Sequence, residues 1–266
     1  MQFGYCANAN FLVAEDPRGK EIFEGILAAG YDYLETQLTH LLALAPEQYE
    51  TFKRRLAEAN VPCRMGMMIF PYSMPLVSME RDLEAIEAHA TRTLALAADL
   101  GCETVVFGHG GARAVPDGMD YDTARNRLID VLRIIGNLAT MHNLKIAIEP
   151  LCDTNMITSF PEAAALAKEC GSSVGAVFDL YHAAALGQSP MDITKAPEQL
   201  FHLHIANPKG RTVPASSDDI SCYNEFAAAA RQCNYAERLS VEADIPPDAN
   251  IAQAIAGALN IIREIF

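Results

Sequence analysis

Short apolar segments alternate with helical patterns along this chain, and that alternation restricts its fold more than any other feature. Eight segments predict buried strands, because most of them are rich in Val, Ile, Phe or Tyr and too short for helices. The strands are expected at Phe3–Ala7, Tyr31–Glu35, Cys63–Phe70, Thr104–Phe107, Lys145–Glu149, Val174–Asp179, Leu200–Ile205 and Leu239–Glu242. Helical patterns lie between them, over Pro17–Ala29, Pro46–Ala59, Met79–Leu100, Tyr121–His142, Pro161–Cys170, Asn224–Cys233 and Ile251–Ile265.

The number of these units favours a closed barrel. Dividing 266 residues among eight strands leaves about 33 residues per unit, a normal length for a strand and a helix. We therefore predict a (β/α)8 TIM barrel that residues 1–266 form as a single domain, since no linker or low-complexity stretch interrupts them. A doubly wound open sheet is the competing fold, but its Gly-x-Gly-x-x-Gly fingerprint is missing from residues 5–10, after the first strand. Asp16 is expected to cap the first helix.

Charge and cysteine content narrow the classes of function. The chain has 34 Asp and Glu against 20 Lys and Arg, and this net charge of −14 opposes binding to nucleic acids and to anionic membranes. No apolar run approaches the roughly 20 residues of a membrane helix. The segment Met1–Tyr5 lacks the basic and apolar pattern of a signal peptide. Seven cysteines without a Cys-x-x-Cys motif indicate reduced thiols, so we expect a cytoplasmic protein.

Potential metal ligands end four consecutive predicted strands. They are Glu149 on the fifth strand, Asp179 and then His182 after the sixth, His202 and His204 on the seventh, and Glu242 on the eighth. The carboxyl ends of barrel strands form one face, and neighbouring strands lie about 4.8 Å apart, so these donors can converge. Each residue alone is more often structural, but three carboxylates that close would repel without a cation. The pattern therefore indicates a divalent-metal site.

These motifs resemble the xylose-isomerase-like barrel superfamily, and within it the sugar isomerases and epimerases of the D-tagatose 3-epimerase type. The matching segments are Ile148-Glu149-Pro150-Leu151, Phe178-Asp179-Leu180-Tyr181-His182, His202-Leu203-His204 and Val241-Glu242. The resemblance covers essentially the whole chain. It implies a small-molecule sugar substrate, a possible homodimer, and one metal ion held by Glu149, Asp179, His204 and Glu242.

The resemblance also implies roles for residues near these ligands. His182 would hold a substrate oxygen rather than the metal. His202 and His204 share a strand face, and His204 is nearer the carboxyl end, so it is assigned to the metal. His202 is expected inside the barrel, hydrogen-bonded to a carboxylate. Arg211 matches a substrate-binding arginine of the family, and Asp153 is expected to replace a family glutamate that contacts substrate.

Two further residues are predicted to contact the sugar. His109 lies in the glycine-rich segment Gly108–Arg113 after the fourth strand, where it and Arg113 can reach a sugar oxygen or a phosphate. Glu35, at the end of the second predicted strand, is a candidate hydroxyl acceptor. An equally good interpretation is that the glycine-rich segment only forms a turn and that Glu35 has a structural role instead of contacting the sugar.

The ligand set suits Mn²⁺ best, with Mg²⁺, Co²⁺ and Zn²⁺ as other possibilities, because it is rich in oxygen. An octahedral ion would have room for a ketose carbonyl and hydroxyl, and it would stabilise a cis-enediolate. Glu149 and Glu242 are then the predicted catalytic acid and base. Two carboxylates on opposite faces support epimerisation, whereas one carboxylate suffices for aldose–ketose isomerisation.

Three other functions compete with a sugar isomerase or epimerase. A dehydratase or lyase acting on a keto-sugar or cyclitol uses the same enediolate. An apurinic endonuclease-like hydrolase needs more histidines than the third strand and the segment after His204 supply. A non-catalytic sugar-binding barrel would not need all four metal-ligating residues, so their presence argues against that function.

Overall fold

A computed structural model describes residues 1–7, 17–216, 218 and 220–266. Eight parallel strands form a closed barrel in chain order, with the last strand paired to the first. The strands are β1 Gln2–Ala7, β2 Tyr33–Gln37, β3 Cys63–Met67, β4 Thr104–Phe107, β5 Lys145–Ile148, β6 Val174–Asp179, β7 Leu200–Ile205 and β8 Arg238–Val241. The predicted TIM barrel is confirmed.

Helices surround the barrel. They are α1 Pro17–Ala29, α2 Leu38–Leu42, α3 Pro46–Ala59, α4 Leu83–Leu100, α5 Gly110–Arg113, α6 Tyr121–Met141, α7 Phe160–Cys170, α8 Leu180–Ala185, α9 Ile220–Gln232 and α10 Ile251–Ile265, with 3₁₀ turns at Pro190–Lys195 and Pro197–Gln199. The predicted cap Asp16 lies outside the described residues. Within the described part of the chain, none of the helices combines the length and apolarity needed to cross a membrane.

Helix α4 starts later than its periodicity predicted. The pattern suggested Met79, but the helix begins at Leu83. Asp82 is the reason, because its side chain accepts hydrogen bonds from the backbone nitrogens of Glu84 and Ala85 at 3.0 and 3.1 Å. Such an N-cap satisfies donors that the first helical turn leaves without partners.

Several strand boundaries differ from the prediction, and the carboxyl ends of β2 and β3 shift by two and three residues. The shift in β2 moves a candidate site residue. Strand β2 runs from Tyr33 to Gln37 instead of ending at Glu35, so Glu35 lies inside the strand and not at its rim. Strand β3 ends at Met67 rather than Phe70, because Met68 takes a left-handed conformation with φ of 60° and turns the chain out of the barrel.

The apolar core has two parts. The larger one lies between strands and helices, and a small cluster fills the barrel interior with Tyr33, Met65, Met67, Val106, Ala147 and Val177. Gly4 makes room for this interior packing, since a Cβ at that position would lie 2.2 Å from the Tyr33 ring. Tyr33 also forms a 2.9 Å hydroxyl–hydroxyl hydrogen bond with Ser240. The barrel is thus filled by side chains, and its open space lies at the mouth.

Candidate metal centre

The four predicted ligands meet at the carboxyl end of the barrel. One donor atom from each lies within 4.8 Å of the others, in the group Glu149, Asp179, His204 and Glu242. His204 Nδ1 is 2.7 Å from Glu149 Oε1, 3.1 Å from Glu242 Oε2 and 3.7 Å from Asp179 Oδ2. Three of these residues are buried and Glu242 is half-buried. Residues up to 93 positions apart in the chain therefore form one cluster.

The polar atoms of this cluster fit a divalent cation. Asp179 Oδ2 is buried and accepts no hydrogen bond from the described residues, and the contact described for the buried Glu242 Oε2 is the 3.1 Å approach of His204 Nδ1. Unpaired buried carboxylate oxygens are costly unless a positive charge compensates them. Asp179 also caps α8, because its Oδ1 accepts a 2.8 Å hydrogen bond from the His182 nitrogen. One oxygen thus serves the helix and the other faces the cluster.

The pKa shifts of three cluster residues show that the grouped carboxylates favour a positive charge beside them. Burial raises the pKa of Glu149, and the neighbouring Glu242 raises it further. Burial opposes ionisation of Glu242 as well, but His204 and Arg211 outweigh it and lower the pKa of that carboxyl group. Burial alone would lower the pKa of His204, yet Glu35 and the cluster carboxylates hold it well above its usual value.

Glu35 supports the cluster from below instead of lining the mouth. It is fully buried, with Oε2 2.9 Å from His202 Nε2 and Oε1 3.2 Å from His204 Nε2. Its place inside β2 explains why it does not lie against the cavity as the sequence suggested. His202 has the carboxylate partner that was predicted for it. Because Glu35 engages Nε2 of His204, the Nδ1 atom is directed at the three carboxylates.

We expect Glu35→Gln to lower the affinity for a divalent ion by roughly 10- to 100-fold, the usual cost of losing a contact that orients a ligand. The amide offers only one acceptor oxygen to two histidines, and its NH2 group opposes the second ring. Calorimetric titration with Mn²⁺ measures this effect, with Glu58→Gln as the control on an exposed helix surface. Equal affinities of the two variants would contradict the supporting role.

A cavity of about 530 Å³ opens above the cluster. Four of the residues predicted to contact substrate line it: His109, Asp153, His182 and Arg211. The carboxylates of the cluster form part of the same wall, through Glu149 and Glu242. The cavity therefore brings the candidate ligands and most candidate substrate contacts together.

The two histidines in this wall each keep a buried ring nitrogen without a partner. His182 Nδ1 accepts the backbone N–H of Cys152 at 3.2 Å, so in the neutral ring Nε2 carries the proton. His109 Nε2 accepts the backbone N–H of Phe70 at 3.1 Å, so Nδ1 carries the proton there. Burial lowers the pKa of His109 to about 4, which keeps it neutral. Both rings thus retain one N–H donor.

The two predicted arginines take different positions. Arg211 Nη2 lies 2.8 Å from Glu242 Oε1, and its guanidinium stacks over the Tyr181 ring at 5.5 Å. Arg113 does not reach the cavity wall as expected, because its Nη2 donates to the carbonyl of Glu149 at 2.7 Å and its side chain is fully buried. Arg113 is the last residue of α5, the single helical turn after β4, and from there its side chain points back toward the end of β5.

Sequence reasoning missed Cys152 and Tyr181, which hold His182 and Arg211 in place. Both stand inside motifs that the sequence displays, three residues after Glu149 and two after Asp179. Their contacts cross between loops of different strands, so no periodicity could indicate them. Their positions inside these motifs were the sequence signal that could have identified Cys152 and Tyr181 as site residues.

Comparisons with known proteins give a family and a fold. The family model described as xylose isomerase-like TIM barrel matches residues 23–264. A comparison with curated protein sequences gives no match.

Solved structures match almost the whole chain. The 3-keto-D-glucoside 4-epimerase of E. coli has 21% identity and a TM-score of 0.80, with 99% of both chains covered. The D-psicose 3-epimerase of Clostridium cellulolyticum H10 has 18% identity and a TM-score of 0.83, covering 100% of this chain and 99% of that one. A family 2 AP endonuclease of Brucella melitensis has 20% identity and a TM-score of 0.75, with 96% and 97% covered. At these identities the likeness establishes a common fold.

Proposed function

We propose that this chain, which belongs to the xylose isomerase-like TIM barrel family, is a divalent-metal-dependent sugar isomerase or epimerase. Its substrate would be a ketose or keto-sugar. The observation that carries the proposal is the convergence of Glu149, Asp179, His204 and Glu242 below an open cavity. Two structures named as sugar epimerases share the fold over nearly the entire chain, which supports the same class of activity.

The ion would be held by three carboxylate oxygens and one imidazole nitrogen. Oxygen donors dominate this set, and we therefore propose Mn²⁺ as its ion. A bound divalent ion supplies Lewis-acid stabilisation of the negative charge that develops when a proton leaves the carbon beside a carbonyl. The side chains of the cavity would transfer the protons and orient the substrate.

Glu149 and Glu242 are the proposed proton-transfer groups. They follow β5 and β8, so they approach a bound sugar from different sides of His204. One carboxylate takes the proton as the C–H bond breaks, and the electron pair enters the enediolate. Return of a proton by the other carboxylate on the opposite face inverts that carbon, whereas return by the first to the neighbouring carbon gives isomerisation.

The two carboxylates are not equivalent. Arg211 donates to Glu242 and favours its ionised form, which suits a base. Among the described residues the Glu149 carboxylate has no such arginine contact, and it lies against the other side of His204 Nδ1. On this geometry we assign Glu242 as the base that removes the first proton and Glu149 as the group that returns one.

The substrate would be oriented by the remaining polar groups of the cavity. His182 Nε2 and His109 Nδ1 offer N–H donors to sugar oxygens, and Asp153 offers a carboxylate to sugar hydroxyls. Arg211 still has guanidinium donors beyond the one that contacts Glu242. A polyhydroxylated ligand matches this mixture of donors and acceptors.

Purified protein loaded with Mn²⁺ and incubated with a panel of ketoses in deuterated water tests the proposal. We expect one divalent ion per chain and, for the true substrate, deuterium at C3 or C2 together with an epimer or isomer. A product that has lost water would indicate a dehydratase or lyase instead. Binding of sugar without any exchange would indicate a non-catalytic barrel, and absence of an ion would overturn the proposal.

An AP endonuclease activity is less well supported, although one such structure shares the fold. Strand β3 ends at Met67, and the residues that follow it, Met68–Phe70, include no histidine. His109 Nε2 is already bonded to a backbone amide. The net charge of −14 also opposes approach to a phosphate backbone.

A further inference from the structure

We propose that the segment Gly108–Arg113, which follows β4, positions Glu149. Gly108 provides the space that the Glu149 carboxylate occupies, and Arg113 fixes the Glu149 main chain. The inference rests on the proposed function, in which Glu149 binds the ion and transfers a proton. Gly108 and Arg113 are then positioning residues that act through Glu149.

The space at Gly108 is already filled by Glu149. A Cβ added to Gly108 would lie 2.8 Å from Glu149 Oε2, closer than such atoms approach in proteins. The other oxygen, Oε1, lies 2.7 Å from His204 Nδ1, so the carboxylate is held on both sides. It cannot move away from position 108 without disturbing its contact with His204.

Arg113 fixes the backbone to which that carboxylate belongs. Its Nη2 donates to the Glu149 carbonyl at 2.7 Å, and longer hydrogen bonds of 3.4 Å reach the carbonyls of Phe107 and Ile157. Phe107 ends β4, Glu149 directly follows β5, and Ile157 lies in the loop after β5. A planar guanidinium with several donors can join three such groups, which a lysine ammonium does less well.

Burying this arginine is costly, and the carbonyl contacts together with the negative charge of the nearby Glu149 offset part of the cost. Arg113 is fully buried, and its described hydrogen bonds go to main-chain carbonyls. Burial lowers the pKa of Arg113 to about 10, which still leaves it charged at neutral pH. A buried cation is destabilising unless its donors are satisfied, and here Nη1 and Nη2 are bonded while the buried Nε has no partner among the described residues. We therefore infer that Arg113 serves to join the strand ends rather than to stabilise the fold.

The local backbone explains how one short segment reaches Glu149 from two sides. His109 adopts a left-handed conformation with φ of 54° and turns the chain sharply after Gly108. One turn of helix, α5, then carries Arg113 back under β5, and the Arg113 nitrogen donates to the His109 carbonyl at 3.2 Å. The glycine-rich sequence forms this turn, and Glu149 Oε2 lies where a side chain at position 108 would begin.

Gly108→Ala and Gly111→Ala form a matched pair that tests the proposal. A Cβ at Gly111 meets nothing within 4 Å, although Gly111 lines the same cavity, and neither glycine has a positive φ. We expect Gly108→Ala to reduce Mn²⁺ affinity by roughly 10- to 100-fold and turnover at least as much, with the melting temperature close to that of Gly111→Ala. Titration calorimetry, thermal unfolding and steady-state kinetics provide the three measurements.

Combining Gly108→Ala with Glu149→Asp tests whether the loss of Mn²⁺ affinity depends on the Glu149 side chain. In Glu149→Asp the carboxylate is one methylene shorter and no longer reaches the space at Gly108. Adding Gly108→Ala to that variant should therefore cost several-fold less affinity than adding it to the wild-type chain. Arg113→Lys, which keeps the charge but loses the planar fork, should also weaken Mn²⁺ binding without a matching loss of melting temperature.

The inference fails if Gly108→Ala binds Mn²⁺ as tightly as Gly111→Ala, or if its cost is the same in the Glu149→Asp background. The proposed function fails separately, if the wild-type chain and Gly111→Ala bind no divalent ion. In that case a crystal structure of Gly108→Ala decides the inference alone. A displaced Glu149 carboxylate would support it, and an unmoved carboxylate would overturn it.

Discussion

Asp179→Asn should abolish divalent-ion binding and turnover together. The amide oxygen can still cap α8 on the His182 nitrogen, as Asp179 Oδ1 does, so the helix should keep its N-cap. The NH2 group, however, replaces Oδ2, the buried oxygen without a partner, and turns a donor toward the ion. Losing an anionic ligand and the Lewis acid should reduce turnover by about 10³-fold or more, since such an ion supplies several kcal/mol.

His182→Asn is the informative partner of this variant. We expect it to retain the ion, as measured by metal analysis and calorimetry, while the KM for the sugar rises. His182 Nε2 faces the cavity without a protein partner, whereas its main-chain nitrogen is already bound by Asp179. Loss of the ion in the His182 variant, or its retention in the Asp179 variant, would show that the two roles are assigned wrongly.

Glu149→Gln and Glu242→Gln should each lower turnover by roughly the 10²- to 10⁴-fold that a general acid or base supplies, or more. Glutamine still offers an oxygen to the ion but cannot accept or deliver a proton. Rates measured on the true substrate identified by the ketose panel test this expectation. Asp244→Asn is the control, because Asp244 lines the same cavity but lies outside the ligand cluster.

Isotope incorporation separates the two possible chemistries. An enzyme with two proton-transfer groups should place solvent deuterium mainly in the inverted product. With Glu149→Gln, the surviving Glu242 should still exchange the proton of the unchanged epimer, since Glu242 is the assigned base. Label moving between neighbouring carbons, with only one glutamine variant impaired, would identify a one-base isomerase. Full turnover in both variants would contradict the acid–base assignment.

The amino-acid sequence was sufficient to predict the barrel and the convergence of the four candidate ligands. Eight apolar segments with helical patterns between them predicted the closed parallel sheet, and the strands follow in chain order. The candidate ligands Glu149 and Asp179 could be predicted because Asp179 ends β6 and Glu149 directly follows β5. Parallel barrel strands bring their carboxyl ends to one face, so position along the strand determines position in space.

Strand ends were less well predicted than strand identities, and Glu35 shows the consequence. Apolar composition placed it at the rim of β2, but the hydrogen-bonded ladder continues two residues further, to Gln37. Pairing with neighbouring strands decides where a strand stops, and a single sequence does not display that pairing. A shift of two residues was enough to move Glu35 from the cavity to the interior of the barrel.

What the sequence by itself determined was therefore the fold, the face that carries the site and the four donors that meet there. Only the tertiary structure decided what surrounds those donors. Glu35 reaches His204 from 169 positions away, Arg211 contacts Glu242 from a different loop, and Gly108 leaves space for Glu149. Periodicity reports which way a side chain points from its own strand, whereas these contacts depend on distances between strands that exist only once the barrel has closed.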